Sequence, residues 1–201
     1  GTILKKNMTD EMEKMYLRQL EEAVQIGFQI IKDDGNGREA VEKTINYLEN
    51  SPLFNAGKGS VLTSEGTVEL DASFMEGKSL NAGAVAGVKN IKNPISAAIK
   101  VMTSSPHVML SGNGADTFAK DQGLETVDQS YFITERRSKS LERAKKIDKD
   151  NNTSFYSKNE LVNYRVGTVG CVVLDKNGNL FSGTSTGGMT NKKWGRIGDV
   201  P

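Results

Sequence analysis

Apolar residues recur at helical spacing along Met12, Met15, Tyr16, Leu20, Ala23, Gly27 and Ile31, which predicts an amphipathic helix with this stripe in the core. Thr9 before Asp10 and Glu11 supplies its start, a capping hydroxyl followed by acidic residues that favour the positive end of the helix dipole. Gly35-Asn36-Gly37 ends it, and a second helix follows with Ala40, Val41, Thr44, Ile45 and Leu48 on its inner face. Beyond Pro52 the texture shifts to short β-rich pieces around Val61, 68–72 and 82–88, separated by glycines. Pro94 opens another helix, over 95–102, then 105–110 reads as a strand and 114–121 as a helix. Asn177-Gly178 predicts a two-residue hairpin turn between strands at 169–174 and 180–184. Helices, several strands, more helices and a terminal hairpin fit a layered α+β domain better than a repeated βαβ unit.

Composition bounds the picture without changing it. The chain has 201 residues, 36% of them hydrophobic, enough for one core. With 26 basic and 25 acidic residues it has a net charge of +1, so electrostatics give no case for nucleic acid or an anionic membrane. No apolar run approaches a membrane-spanning length. A single cysteine, Cys171, excludes an internal disulfide framework; it is compatible with the cytoplasm and reads as a buried free thiol. His107, the one histidine, falls in the predicted 105–110 strand and reads as structural.

Several motifs fail when tested against their chemistry. Asp148, Asp150 and Asn152 mimic the start of a calcium loop, but Thr153 replaces the required glycine and Asn159 the bidentate glutamate. Gly57-Lys58-Gly59 lacks the third glycine of a dinucleotide fingerprint, Leu62 standing there instead. Sequons begin at Asn7, Asn151 and Asn152, a pattern common by chance. Arg136, Arg137, Lys139, Arg143, Lys145 and Lys146 form a basic helical run that reads as a solvated face, and 148–164 as a flexible linker.

The chemistry converges on Gly167-Thr168-Val169-Gly170. Thr and Val between glycines begin many ordinary strands. Cleavage before Thr168 would, however, give one residue both a hydroxyl nucleophile and a free α-amine, whose pKa of roughly 8 suits a general base. The predicted hairpin returns Thr184-Ser185-Thr186-Gly187-Gly188 toward Thr168. A glycine-punctuated loop then carries Arg196 and Asp199, a fork for a carboxylate and a partner for an ammonium, the two charged ends of an amino acid.

With these residues together, the chain resembles the plant-type L-asparaginases, or isoaspartyl peptidases, a family of N-terminal nucleophile hydrolases. The resembling segments are 51–59 (Ser-Pro-Leu-Phe-Asn-Ala-Gly-Lys-Gly), 69–73 (Glu-Leu-Asp-Ala-Ser), 82–88, 92–95, 105–108 and 167–199. The resemblance implies an αββα sandwich and one domain over 1–201, divided by self-cleavage between Gly167 and Thr168 into an α part, 1–167, and the start of a β part. It casts Thr168 as nucleophile and Thr186 as its orienting partner. Arg196 and Asp199 bind the substrate's α-carboxylate and α-ammonium, and Asn55 has a supporting polar role. Main-chain carbonyls of Leu48, Glu49, Ser51, Phe54, Ala56 and Lys58 are candidate ligands for a structural sodium ion.

The implied reaction splits L-asparagine and β-aspartyl dipeptides through a covalent ester on Thr168, needs no cofactor, and belongs to a homodimer of αβ units. Glycosylasparaginase activity is the same-class alternative, although Gly187-Gly188 after Thr186 favours the plant-type branch; an inert interaction module is the alternative from another class. The family's leading His-Gly-Gly-Ala motif and later Gly-Thr-Gly motif do not occur here, so the expectation is a fragment of a longer precursor. A signal peptide upstream stays open for the same reason.

Overall fold

In the computed structural model, residues 8–150 and 167–198 are described. The first helix, α1 (Asp10–Lys32), begins where Thr9 accepts a hydrogen bond from the Met12 N–H, and three acidic residues occupy its first turn. Asn36 caps α2 (Gly37–Glu49) in the same way through the Arg38 N–H. Then follow β1 (Leu70–Glu76), β2 (Ala82–Val88), α3 (Pro94–Ser104), β3 (Met109–Ser111), α4 (Gly112–Asp121), α5 (Glu135–Asp150), β4 (Val169–Leu174) and β5 (Leu180–Thr186). This is the α+β class expected from the pattern.

The strands form one mixed sheet in the order β3-β2-β1-β5-β4, with β2 and β3 parallel and the other neighbours antiparallel. The β4–β5 turn spans three residues, 176–178, rather than the expected two: the Asp175 N–H bonds to the Asn179 carbonyl across it, only Gly178 takes a positive φ (+79°), and the Asp175 side chain accepts from the Asn177 and Asn179 N–H groups. Helices α2 and α3 cover one face of the sheet, and α1 lies over α2. Val41, Ile45, Ile95, Ala98 and Phe74 form the centre of that interface, all 0–1% exposed.

Several expectations need correction. Tyr16, Ala23 and Gly27 of the α1 stripe are buried, but Met15 and Leu20 are 48% and 44% exposed, because α1 rests mainly on α2 and one neighbour covers only a narrow strip. Val61 is buried in irregular chain rather than a strand, its N–H taken by the Asn55 side chain instead of a ladder partner. The 105–110 strand shrinks to Met109–Ser111, leaving His107 exposed ahead of it with its N–H on Ser105 Oγ.

The basic run is not merely solvated. Arg137 is 7% exposed and donates to the Gly59 carbonyl at 2.6 Å, while Arg136 donates to Tyr16 Oη and the Pro52 and Leu53 carbonyls. Leu141 and Ala144, one and two turns further along, are buried on the same face of α5 as Arg137. The first residues of the expected 148–164 linker belong to this helix, and Asp148 accepts from the Asn191 amide at 2.6 Å; 151–164 lies outside the described residues.

Candidate active site

Thr168 immediately precedes β4, and Thr186 is the last residue of β5. The hairpin register sets Val169 opposite Ser185, so the two threonines meet at the open end of the ladder. Thr168 Oγ1 donates to Thr186 Oγ1 at 3.1 Å, and the Gly188 N–H donates to the same oxygen at 3.1 Å. Thr168 is exposed and Thr186 2% exposed, so a hydroxyl open to solvent rests on one fixed from behind. Because Asp71 of β1 pairs with Thr186, a carboxylate lies across the strand from that anchor.

Asn55 holds the glycine turn that follows. Its Nδ2 donates to the Gly188 carbonyl at 2.9 Å, its Oδ1 accepts from the Val61 N–H at 2.9 Å, and its main-chain carbonyl accepts from the Gly187 N–H at 3.1 Å. A Cβ on Gly187 would stand 2.7 Å from Asn55 Oδ1 and from Ser60 Cβ, so the close approach needs glycine there. A Cβ on Gly188 would come within 3.4 Å of both Arg196 Nη1 and Lys192 Nζ. Arg196 thus reaches over the turn that contacts Thr186, with its side chain exposed. Asp199 lies outside the described residues; its neighbour Gly198 donates its N–H to Asp71 Oδ2 at 2.7 Å.

The structure therefore brings Thr168, Thr186, Asn55 and Arg196 to one end of the sheet. Sequence reading missed two groups there, Asp71 and Lys192, both buried. An acid between Leu70 and Ala72 in an apolar strand was the available signal for the first. Lys192 Nζ donates to the Glu69 carbonyl at 2.8 Å; burial pulls its ammonium below the usual lysine range, opposed by the charges of Asp71 and Glu69.

The 48–58 loop leads directly into this site. A Cβ on Gly57 would sit 2.3 Å from the Glu49 carbonyl oxygen, and one on Gly59 2.1 Å from that of Phe54. These two candidate cation carbonyls turn inward onto glycines, and neutral main-chain oxygens suit a hard cation. The Leu48 and Ala56 carbonyls also accept from the Ser51 and Gly59 N–H groups. Among the described residues no cluster of histidine, cysteine or acidic side chains forms a metal site. Burial pushes the Glu49 carboxyl up to about 7, against the opposing effects of Ser185, the Ile95 N–H and the Asn93 amide.

An α+β layer ending in a threonine pair beside a glycine turn defines the class, and comparison fixes the family. The family model for asparaginase matches residues 1–201, and the chain belongs to that family. It is 44% identical over 195 residues to an isoaspartyl peptidase/L-asparaginase of Mus musculus, covering 97% of this chain and 58% of that protein. It is 43% identical over 195 residues to one of Bos taurus, covering 97% of this chain and 61% of that protein. To an isoaspartyl peptidase of Escherichia coli it is 42% identical over 204 residues, covering all of this chain and 62% of that protein. The chain thus spans about three-fifths of the length of these curated relatives.

Proposed function

We propose that the protein to which this chain belongs is a self-processing amidohydrolase that splits L-asparagine and N-terminal β-aspartyl dipeptides, with Thr168 as nucleophile. The observation that carries this reading is the 3.1 Å hydrogen bond from Thr168 Oγ1 to Thr186 Oγ1 at the head of β4, directly after Gly167. While Gly167 and Thr168 are joined, the Thr168 nitrogen is an amide and cannot act as a base. Cleavage frees it as an amine on the residue that carries the hydroxyl, which then has its own proton acceptor.

Thr168 Oγ then attacks the side-chain carbonyl, the bond to ammonia or to the peptide amine breaks, and water hydrolyses the β-aspartyl ester. Thr186 holds the hydroxyl in line, and Asn55 keeps the glycine turn behind Thr186 in place. Arg196 takes the substrate's α-carboxylate, and Asp199 its α-ammonium. The names of the relatives support the substrate class, since those proteins are isoaspartyl peptidases and L-asparaginases.

The chemistry asks for no cofactor. A sodium ion held by the carbonyls of Leu48, Glu49, Ser51, Phe54, Ala56 and Lys58 would stiffen the loop that presents Asn55. The half-buried thiol of Cys171 is compatible with a cytoplasmic enzyme, and a homodimer of cleaved αβ units is the assembly in this reading.

The test uses the full-length gene product, incubated and examined by gel and N-terminal sequencing, then assayed with L-asparagine and a β-aspartyl dipeptide. New fragments beginning at Thr168 and turnover of both substrates are expected, and Thr168→Ala removes both. Continued hydrolysis by that variant rules out Thr168 as nucleophile.

A further inference from the structure

We infer that Asp71 is a positioning residue that fixes the substrate clamp, the loop bearing Arg196, at a set distance from Thr186. This rests on the functional reading above. Asp71 is 0% exposed, and burying a carboxylate so completely is costly unless it is held by donors. Here both oxygens have one: Oδ1 accepts from the Gly87 N–H at 2.8 Å and Oδ2 from the Gly198 N–H at 2.7 Å.

The strands deform to provide the first of these bonds. Between β1 and β2 the register steps from Leu70↔Val88 to Ala72↔Val85, so β2 carries an extra residue opposite Asp71. Gly87 stands in that bulge at φ +62°, a conformation rarely open to other residues, and its N–H points at the carboxylate instead of continuing the ladder. A bulge next to a site commonly re-aims a group, and the group served here is Asp71.

The second bond ties the clamp to the nucleophile's anchor. Asp71 and Thr186 are paired across β1 and β5, and a Cβ on Gly198 would lie 2.9 Å from Thr186 Cγ2 and 3.0 Å from Asp71 Oδ2. Gly198 is therefore held against Thr186 by one carboxylate oxygen, two residues after Arg196. From below, Lys192 supplies a buried countercharge within electrostatic reach of Asp71, its Nζ tethered to the Glu69 carbonyl. Both carboxylate oxygens are taken up by main-chain N–H groups, of Gly87 and Gly198. The carboxylate sets where an amino acid's charged ends rest relative to Thr168.

Asp71→Asn tests this in the full-length gene product, because asparagine keeps the volume but offers one acceptor and turns an NH₂ toward the other N–H donor. The Gly198 bond, on a loop rather than inside the sheet, is the one expected to break. KM for L-asparagine and the inhibition constant of L-aspartate should each rise tenfold or more, with kcat per matured site within about threefold of wild type. A purely structural role would lower the matured fraction and leave both constants in place, and that result overturns the inference. Gly198→Ala, whose added methyl would crowd both Thr186 Cγ2 and Asp71 Oδ2 and so push the loop away while leaving the carboxylate itself in place, should raise the same two constants. It decides the matter if Asp71→Asn does not fold; unchanged constants in it are refuting. Wild-type protein inert toward both substrates would bring down the functional reading itself, a failure visible before any variant is made.

Discussion

Replacing Asn55 with alanine removes two hydrogen bonds at once, and the surroundings of each set the cost. The Val61 N–H that donates to Oδ1 belongs to a residue 1% exposed, so water cannot replace the lost acceptor and the orphaned donor costs about 1–3 kcal/mol. The Gly188 carbonyl is half-buried and can turn to solvent, so its loss costs about 0–1 kcal/mol. The missing amide group also leaves a small void, worth roughly another 1 kcal/mol. Taken together, Asn55→Ala should destabilise the protein by about 2–5 kcal/mol. Urea denaturation of the uncleaved Thr168→Ala background, where folding is not entangled with processing, reads this as a lower midpoint at unchanged slope. Native-state hydrogen exchange localises it: the Val61 amide should lose protection before the Ala84 amide, which bonds to Val108 in the β2–β3 region. A loss below about 0.5 kcal/mol, or an unchanged Val61 amide, would show that Asn55 is not the strut of the glycine turn.

Two further outcomes are expected. Thr186→Val keeps the shape of Thr186 but removes the acceptor for both Thr168 Oγ1 and the Gly188 N–H, and should lower kcat by about 10- to 100-fold with KM within threefold; an equal rise in KM would mean the hydroxyl serves binding instead. Glu49, whose carboxyl titrates near 7 when folded and near 4.5 when unfolded, binds more protons in the native state between those values, so stability should fall as pH rises from 5 to 8. Glu49→Gln should flatten that part of the urea-midpoint profile, and an undiminished slope would assign it to another group.

Elements with strong local signals were legible in the sequence. Thr9 at the start of α1, Pro94 at the head of α3 and Asn177-Gly178 in the hairpin act within a few residues of themselves, and each lies where it was placed. Legibility failed where the deciding partner is distant in sequence. Nothing near Met15 or Leu20 says that α1 rests mainly on one helix, and nothing near Arg137 says that the Gly59 carbonyl, 78 positions earlier, will accept its hydrogen bond. Charge in a sequence reads as solvent until the fold supplies a partner. At the site the same division holds: Thr168 and Thr186 come together through a local hairpin, whereas Asp71 depends on Gly87 and Gly198, one in a bulge and one 127 positions away.

The sheet's two faces differ in a way that bears on the chemistry. One packs against α2 and α3 through Phe74, Gly183 and Gly83, where added side chains would strike Val41, Ile45 and the Ala98 carbonyl. The other carries Asp71, Ser73, Thr184 and Thr186, paired in register, with Ser73 Oγ and Thr184 Oγ1 2.9 Å apart. Farther along that second face Val172, Leu174 and Leu180 are 73%, 62% and 54% exposed. A hydroxyl row at one end and an apolar strip at the other is what an αββα sandwich needs between its sheets, a dry contact that holds the layers and a polar end that opens to substrate. On that reading the exposure of Thr168 and of Val172 has one origin, a sheet face without a covering layer among the described residues. For the proposed reaction, covering it would also favour the chemistry, since electrostatic contacts to a developing oxyanion gain most where water is excluded.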